Sequence, residues 1–113
     1  MAWEQFKETT GRFKPKISIR ANGSIGFNAG VIRKFGFDKQ DYILLFYDAE
    51  NRKIGIRASA ENSGEGTLKL NRFGKAAWVS ANRFFNFFDI SLEKTKRYDP
   101  VMDEKQKMVV VQL

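Results

Sequence analysis

Basic or small polar side chains alternate with apolar ones in three separate segments of the chain. Such alternation is typical of a β-strand that buries one face, so the polar positions of each segment share the opposite face. A sheet face that is basic and low in bulk can bind the phosphates of a nucleic-acid backbone. Trp78 alternates with Ala77 and Val79, so it is predicted to point outward, where its ring can stack on a base. The predicted nucleic-acid-binding residues are Lys16, Arg20, Lys53, Arg57, Lys69 and Trp78.

A cluster of carboxylates is the second group of side chains that could perform chemistry. Asp38, Asp41, Asp48 and Glu50 form the only acidic cluster, and paired carboxylates can perform acid–base chemistry or bind a metal. They fall in a helix-to-strand connection and a hairpin turn, where caps and turns explain acidic residues. The chain has no His and no Cys, and no catalytic motif surrounds any Ser or Lys. The sequence therefore predicts a protein that is not an enzyme and has no metal site and no cofactor.

A glycine-rich stretch at residues 23–30 resembles a phosphate-binding loop only superficially. It lacks the Gly-Lys-Ser/Thr sequence of a Walker loop and the glycine spacing of a dinucleotide-binding fingerprint. The segment 23–26 matches a bare GxxG loop, but that loop joins two helices and both flanks here are predicted strands. These glycines are better explained by a turn and a bulge.

The elements that must position these side chains can be predicted from periodicity and turn signals. Alternation predicts strands at 16–21 and 24–28, joined by an Asn22-Gly23 hairpin turn. Asn28 is predicted to cap a helix over 29–35 that ends at Gly36. The segment 42–47 is apolar on both faces, so it is predicted to be a central strand that is covered on each side. Further strands are predicted at 53–59, 67–73, 75–80 and 108–113.

The second predicted helix spans 81–88 and is unusually aromatic. Ser80 is its predicted N-cap, and Phe84, Phe87 and Phe88 share one face. This face is predicted to join the core or to form the seam of a homodimer, because it is more aromatic than one short helix needs to pack on a sheet.

The two parts of the chain repeat one order of elements. Residues 27–35 align with residues 79–87 at an offset of 52, matching strand end, cap and helix face. Each half, 16–59 and 67–113, is predicted to be a strand-strand-helix-strand-strand unit. The fold class is therefore α+β, an antiparallel β-rich sheet domain with two short helices and an internal duplication.

Length and charge set the broad class. The 113 residues suffice for one domain, predicted over 16–113 after a partly ordered N-terminal arm at 1–15. No apolar run approaches the roughly 18 residues of a membrane span, so a soluble protein with no membrane partner is expected. The absence of Cys agrees with a cytoplasmic location. The net charge of +7 fits a polyanionic partner.

The order of four strands and a helix over 42–88, closing with GKAAWVSA at 74–81, resembles the repeat unit of the Pur, Whirly and positive-cofactor-four-like proteins. This resemblance implies binding of a single strand of nucleic acid on a curved sheet. The chain also resembles a group of short uncharacterised bacterial proteins, which implies no function.

A second resemblance involves SIGFN at 24–28, VIRKFGF at 31–37 and the pair Asp41-Tyr42, which are similar to one half of AbrB-like regulators. That family implies an interleaved dimer on duplex DNA, although Asn28-Ala29 replaces its usual proline and the second half lacks its Leu-Gly element.

Three functions remain open from the sequence. The first is a cytoplasmic, homodimeric protein that binds nucleic acid, preferably single-stranded DNA or RNA. The second is an AbrB-like duplex-DNA regulator, and the third is a protein-interaction module. In the third case the basic positions are ordinary solvated faces and Trp78 packs beneath the N-terminal arm.

Overall fold

A computed structural model of the protein describes residues 14–62 and 64–113, so the predicted N-terminal arm lies outside the described residues except for Lys14 and Pro15. Ten strands form two antiparallel sheets of five. The first sheet has the order β6-β7-β2-β1-β8 and the second has the order β5-β3-β4-β10-β9. The strands are β1 Ile17–Ile19, β2 Ser24–Phe27, β3 Tyr42–Asp48, β4 Lys53–Ser59, β5 Leu68–Lys69, β6 Asn71–Phe73, β7 Ala76–Ser80, β8 Lys96–Tyr98, β9 Val101–Asp103 and β10 Met108–Gln112.

The described residues include two helices of six residues: α1 at Ala29–Lys34 leads from the first sheet to the second, and α2 at Asn82–Phe87 lies between β7 and β8 of the first sheet. A short 3₁₀ turn lies at Phe37–Lys39. This architecture confirms the predicted α+β class, rich in antiparallel strands. Within the described residues, neither helix is long and apolar enough to cross a membrane.

One hydrophobic core lies between the two sheets. The apolar positions of the alternating strands point inward from both sides, as the period of two predicts. Ile17 and Ile25 from the first sheet and Ile54 and Val111 from the second are fully buried in the same cluster. The polar positions of each strand therefore face away from the core, on the outer face of their sheet.

The order of elements agrees with the predicted duplication except that the second half has two further strands, β5 and β8, and the two halves are interleaved. β2 of the first half pairs with β7 of the second, and Gly26 lies opposite Trp78, its counterpart at the predicted offset of 52. β4 likewise pairs with β10, with Gly55 opposite Val110. Each sheet therefore has a pseudo-twofold axis at a pair of equivalent residues.

Backbone conformation supports the same duplication. The residue after each helix C-cap has a positive φ, 71° at Gly36 and 53° at Asp89. The residue before each of the paired strands β4 and β10 does too, with φ of 52° at Arg52 and 54° at Lys107. Left-handed backbone is uncommon outside glycine, so its recurrence at matching positions reflects a repeated local structure.

The first helix begins as predicted. The Asn28 side-chain oxygen accepts a hydrogen bond from the backbone N–H of Val31 at 3.0 Å, which is the expected N-cap contact. It also accepts from the backbone N–H of Lys16 at 3.0 Å, and its amide donates to the carbonyl of Lys14 at 2.8 Å. This one side chain therefore fixes both the start of α1 and the entry to β1.

The prediction for the second helix was wrong in its cap and its face. Ser80 is the last residue of β7, and the N-cap is Ala81, which makes no side-chain capping bond. Ala81 and Phe85 are buried, at 1% and 2% exposure, because residues four apart lie on one face of a helix. Phe84 packs against the core but Phe87 is 80% exposed, so the predicted face is buried only in part. Its role as a homodimer seam stays a prediction.

The prediction that β3 is covered on both faces was also wrong. Ile43 is fully buried toward the core, but Phe46 on the opposite face is 39% exposed. Leu44 on that face is half-buried. The strand has neighbours on both edges and packing on one face only.

Asn28→Ala should destabilise the protein by about 1–2 kcal/mol, because α1 loses its cap and β1 loses its anchor. Ser80→Ala is the matched control, since Ser80 is the equivalent residue of the second half and makes no capping bond. It should change stability by less than about 0.5 kcal/mol. Urea denaturation measures both values, and equal losses would contradict the capping role assigned to Asn28.

Candidate nucleic-acid interface

The outer face of the first sheet carries a row of residues that crosses all five strands. The strand registers place Asn71, Trp78, Gly26, Ser18 and Arg97 side by side. Directly opposed residues of antiparallel strands project from the same face. The row therefore has an aromatic side chain on one side of a floor of two small residues and an arginine on the other.

A groove of about 490 Å³ follows this row. Trp78 is 39% exposed in it, whereas its neighbours Ala77 and Val79 are buried at 3% and 0%. The outward orientation predicted for Trp78 is therefore confirmed. More than half of the indole surface is nevertheless covered, so the ring lies against the sheet and does not project freely into solvent.

Arg20 lies over the floor of the groove. A Cβ atom on Gly26 would come within 2.8 Å of the Arg20 guanidinium, so the absence of a side chain at Gly26 makes room for this group. Arg20 Nη1 donates to Ser24 Oγ at 3.2 Å, and Ser24 Oγ donates to Asn22 Oδ1 at 2.8 Å. The side chains of the hairpin turn thus hold the guanidinium against the sheet beside Trp78.

The hairpin turn that carries these groups is itself held by the other half of the protein. Gly23 has a φ of 89°, which glycine adopts readily, and its carbonyl accepts from the backbone N–H of Ala81 at 2.9 Å. The Asn82 side chain occupies the space where a Cβ atom of Gly23 would lie, 1.8 Å from Asn82 Oδ1. A side chain at Gly23 would therefore force the turn away from α2.

Two groove residues were missed in the sequence. Phe73 is 79% exposed and lines the groove next to Trp78. It continues the alternation of Lys69 and Asn71, so the pattern could have identified it. Arg97 has no such signal, because the pairing of β8 with β1 places it there. The groove thus contains two aromatic side chains and two arginines, and no carboxylate is among the described residues that line it.

The six predicted binding residues are divided between the two sheets. Arg20 and Trp78 line the groove, and Lys16 lies just before β1, where it forms an ion pair with Asp99. The hydrogen bond from Lys16 lowers the pKa of the Asp99 carboxyl below its ordinary value. The ion pair partly neutralises the positive charge of Lys16.

The other three predicted residues lie on the outer face of the second sheet. Lys53 is opposite Asp48, and Lys69 is opposite Tyr42 at the β5 edge. The Arg57 guanidinium donates to the carbonyl of Gln106 at 2.7 Å and lies 5.0 Å from the centre of the Phe46 ring. These basic residues do not extend the groove, because the outer faces of the two sheets point away from their shared core.

Asp48 of the acidic cluster has a structural role. Asp48 accepts hydrogen bonds from the side chain and the backbone N–H of Asn51, at 2.9 Å and 3.2 Å. These bonds lower the pKa of its carboxyl and fix the turn between β3 and β4. The part of the chain that the structure describes has no group of three or more His, Cys, Asp or Glu that could hold a metal ion.

No protein-family model matches the chain, and no curated protein or solved structure is significantly similar to it. The groove of the first sheet and the net charge of +7 are therefore the features from which a function can be inferred.

Trp78→Leu should lower stability by less than about 1 kcal/mol, because leucine keeps an apolar side chain on the sheet surface. Val79→Ala, one residue along, should cost about 2 kcal/mol, because it removes two fully buried methyl groups and leaves a cavity. Urea denaturation of the two variants checks the orientation of β7. A larger loss for Trp78→Leu than for Val79→Ala would contradict it.

Proposed function

We propose that the protein is a non-enzymatic nucleic-acid-binding protein that binds single-stranded DNA or RNA in the groove on the outer face of its first sheet. The observation that carries the proposal is the Arg20 guanidinium, which lies over Gly26, directly across the strand pair from Trp78. A flat ring next to a fixed guanidinium suits a base and its phosphate.

Both kinds of contact are those that single-strand binders use. Bases of any sequence stack on exposed aromatic rings, and Trp78 and Phe73 provide two rings on one face. Arg20 and Arg97 provide two cations for phosphates, in a chain with a net charge of +7. Single strands are preferred in this proposal because duplex bases are already stacked and cannot reach the rings.

The proposal includes a homodimer and a cytoplasmic location, which the sequence predicts. Phe46 at 39% exposure and Val101 at 66% support self-association, because large apolar side chains at the surface favour an interface.

A second candidate is an AbrB-like regulator that binds duplex DNA. The interleaving of the halves supports it, since that resemblance implies interleaved units. A pseudo-twofold axis at Gly26 and Trp78 also suits a duplex site with approximate twofold symmetry.

Binding to a single-stranded oligonucleotide should weaken as salt rises, with a slope of log affinity against log salt of about −0.7 for each phosphate contacted. Arg20→Gln and Arg97→Gln should each reduce the magnitude of this slope by about 0.7, because each removes one phosphate contact. Arg57→Gln is the matched control, since Arg57 is an arginine on the other sheet, and it should leave the slope unchanged.

The same titration with a duplex separates the two candidates. A tighter single-strand complex at matched salt supports the first, and a duplex complex of equal or greater affinity moves the AbrB-like function to first place. If the affinities for the single strand and for the duplex do not change with salt, the proposed phosphate contacts are contradicted.

Trp78→Leu should weaken single-strand binding by about 1–3 kcal/mol, because leucine retains the apolar contact with the sheet but lacks a ring to stack. Trp78→Phe keeps an aromatic ring, so it should lose only a small part of this binding free energy. Phe87→Leu controls for the removal of an exposed aromatic elsewhere and should not change affinity. Equal binding by the Leu and Phe variants at position 78 would exclude stacking at this residue.

A further inference from the structure

The outer face of the second sheet carries an apolar row on the pseudo-twofold axis of that sheet. The strand registers place Phe46, Gly55, Val110 and Val101 side by side. Phe46 is 39% exposed and Val101 is 66% exposed. A groove of about 700 Å³ follows this row, which makes it larger than the groove on the first sheet.

The sequence of this face is that of a surface buried on both sides. β3 is apolar at every position from Tyr42 to Tyr47, a pattern typical of strands covered on both faces. β10 is similarly apolar from Met108 to Val111. Among the described residues, the core covers only the inner face of each strand, so the outer apolar positions lack the cover that their sequence indicates.

The middle of the row is adaptable. A Cβ atom on Gly55 would come within 2.8 Å of the Met108 sulfur and methyl carbon, so Met108 lies across the glycine and lines the groove. An unbranched thioether side chain can change conformation to fit an opposing surface. The face can therefore close against a partner without movement of the backbone.

The charges at the border of the row are balanced. Asp48 and Asp103 line the groove with Lys53, and Arg57 packs on the Phe46 ring, which gives two charges of each sign. Asp99, which also lines the groove, is ion-paired with Lys16.

This balance matters because the whole chain has a net charge of +7. Two copies repel each other through most of their surface, and a face of balanced charge removes that repulsion. An isologous contact uses the same patch on both copies, so it needs both signs of charge within one patch. The second-sheet face meets that requirement.

We infer that two copies of this chain associate through the outer faces of their second sheets, with Phe46, Val101 and Val110 at the centre of the interface. This arrangement differs from the seam on α2 that the sequence predicts. It leaves the groove of the first sheet open on each copy, and it does not depend on nucleic-acid binding.

Sedimentation equilibrium of the nuclease-treated chain tests this interface, at a salt concentration that releases nucleic acid. We expect a monomer–dimer equilibrium over roughly 1–100 µM. Val101→Glu should raise the dissociation constant at least tenfold, because two unpaired carboxylates, one from each copy, then meet at the apolar centre of the dimer. Val101→Leu should retain the dimer. Phe87→Glu is the matched control on α2 and should have no effect.

The absence of cysteine allows a second measurement that needs no destabilising variant. A nitroxide label on Val101→Cys should give a shorter distance between copies than a label on Phe73→Cys, because Phe73 lies on the first sheet. Circular dichroism confirms that each variant is folded.

Three results would overturn the inference. They are a monomer throughout the concentration range, dissociation by Phe87→Glu without dissociation by Val101→Glu, or a shorter distance from position 73 than from position 101. Loss of the dimer with unchanged single-strand binding would contradict this inference and the homodimer of the proposed function but not the binding groove, whereas loss of binding by an intact dimer would contradict only the groove.

Discussion

The pairing of strands from different halves is the constraint on which the structure depends. β2 pairs with β7 in the first sheet, and β4 pairs with β10 in the second. Neither half can complete a sheet alone, because its inner hairpin strand needs the corresponding strand of the other half. The core between the sheets is shared in the same way, so the outer faces of both sheets are fixed by contacts between the halves.

The two halves have similar backbone structures and differ in the side chains that face solvent. Gly26 and Trp78 are equivalent and opposed, and Ser18 and Asn71 are their respective partners. Two residues after Ser18 the first half has Arg20, and two residues after Asn71 the second half has Phe73. The first half therefore contributes the floor and Arg20, while the second contributes the aromatic rings and Arg97. A groove with two chemically different sides follows from the divergence of a duplicated unit.

Local sequence signals predicted most of the strands and the hairpin of β1 and β2, but not the pairings between hairpins. Alternation identified the inward isoleucines of β1 and β4, and the orientation of Trp78, because period and burial are local properties. The cap at Asn28 was predicted because its side chain bonds to nearby backbone, whereas Ser80 has the right type of side chain in a residue that continues β7. Side-chain type alone could not distinguish the two.

The division of the basic residues between two sheets could not be predicted, since it depends on which strands pair. Arg97 joins the groove only through the pairing of β8 with β1, and Arg57 is excluded because β4 belongs to the second sheet. The apolar outer face of β3 was misread for a related reason. A pattern of burial on both faces indicates that both faces should be covered, but it does not indicate whether the same chain provides the cover.

Interleaving also determines when the protein can begin to fold during its synthesis. Gly26 and its partner Trp78 are 52 residues apart. At ribosomal rates the first hairpin therefore waits about 3–10 s for its neighbouring strand to be made. β4 waits about as long, because Gly55 and its partner Val110 are 55 residues apart. During this interval the inner strands of the first half expose unpaired backbone and isoleucine side chains, so the nascent chain is most exposed to aggregation before its second half emerges.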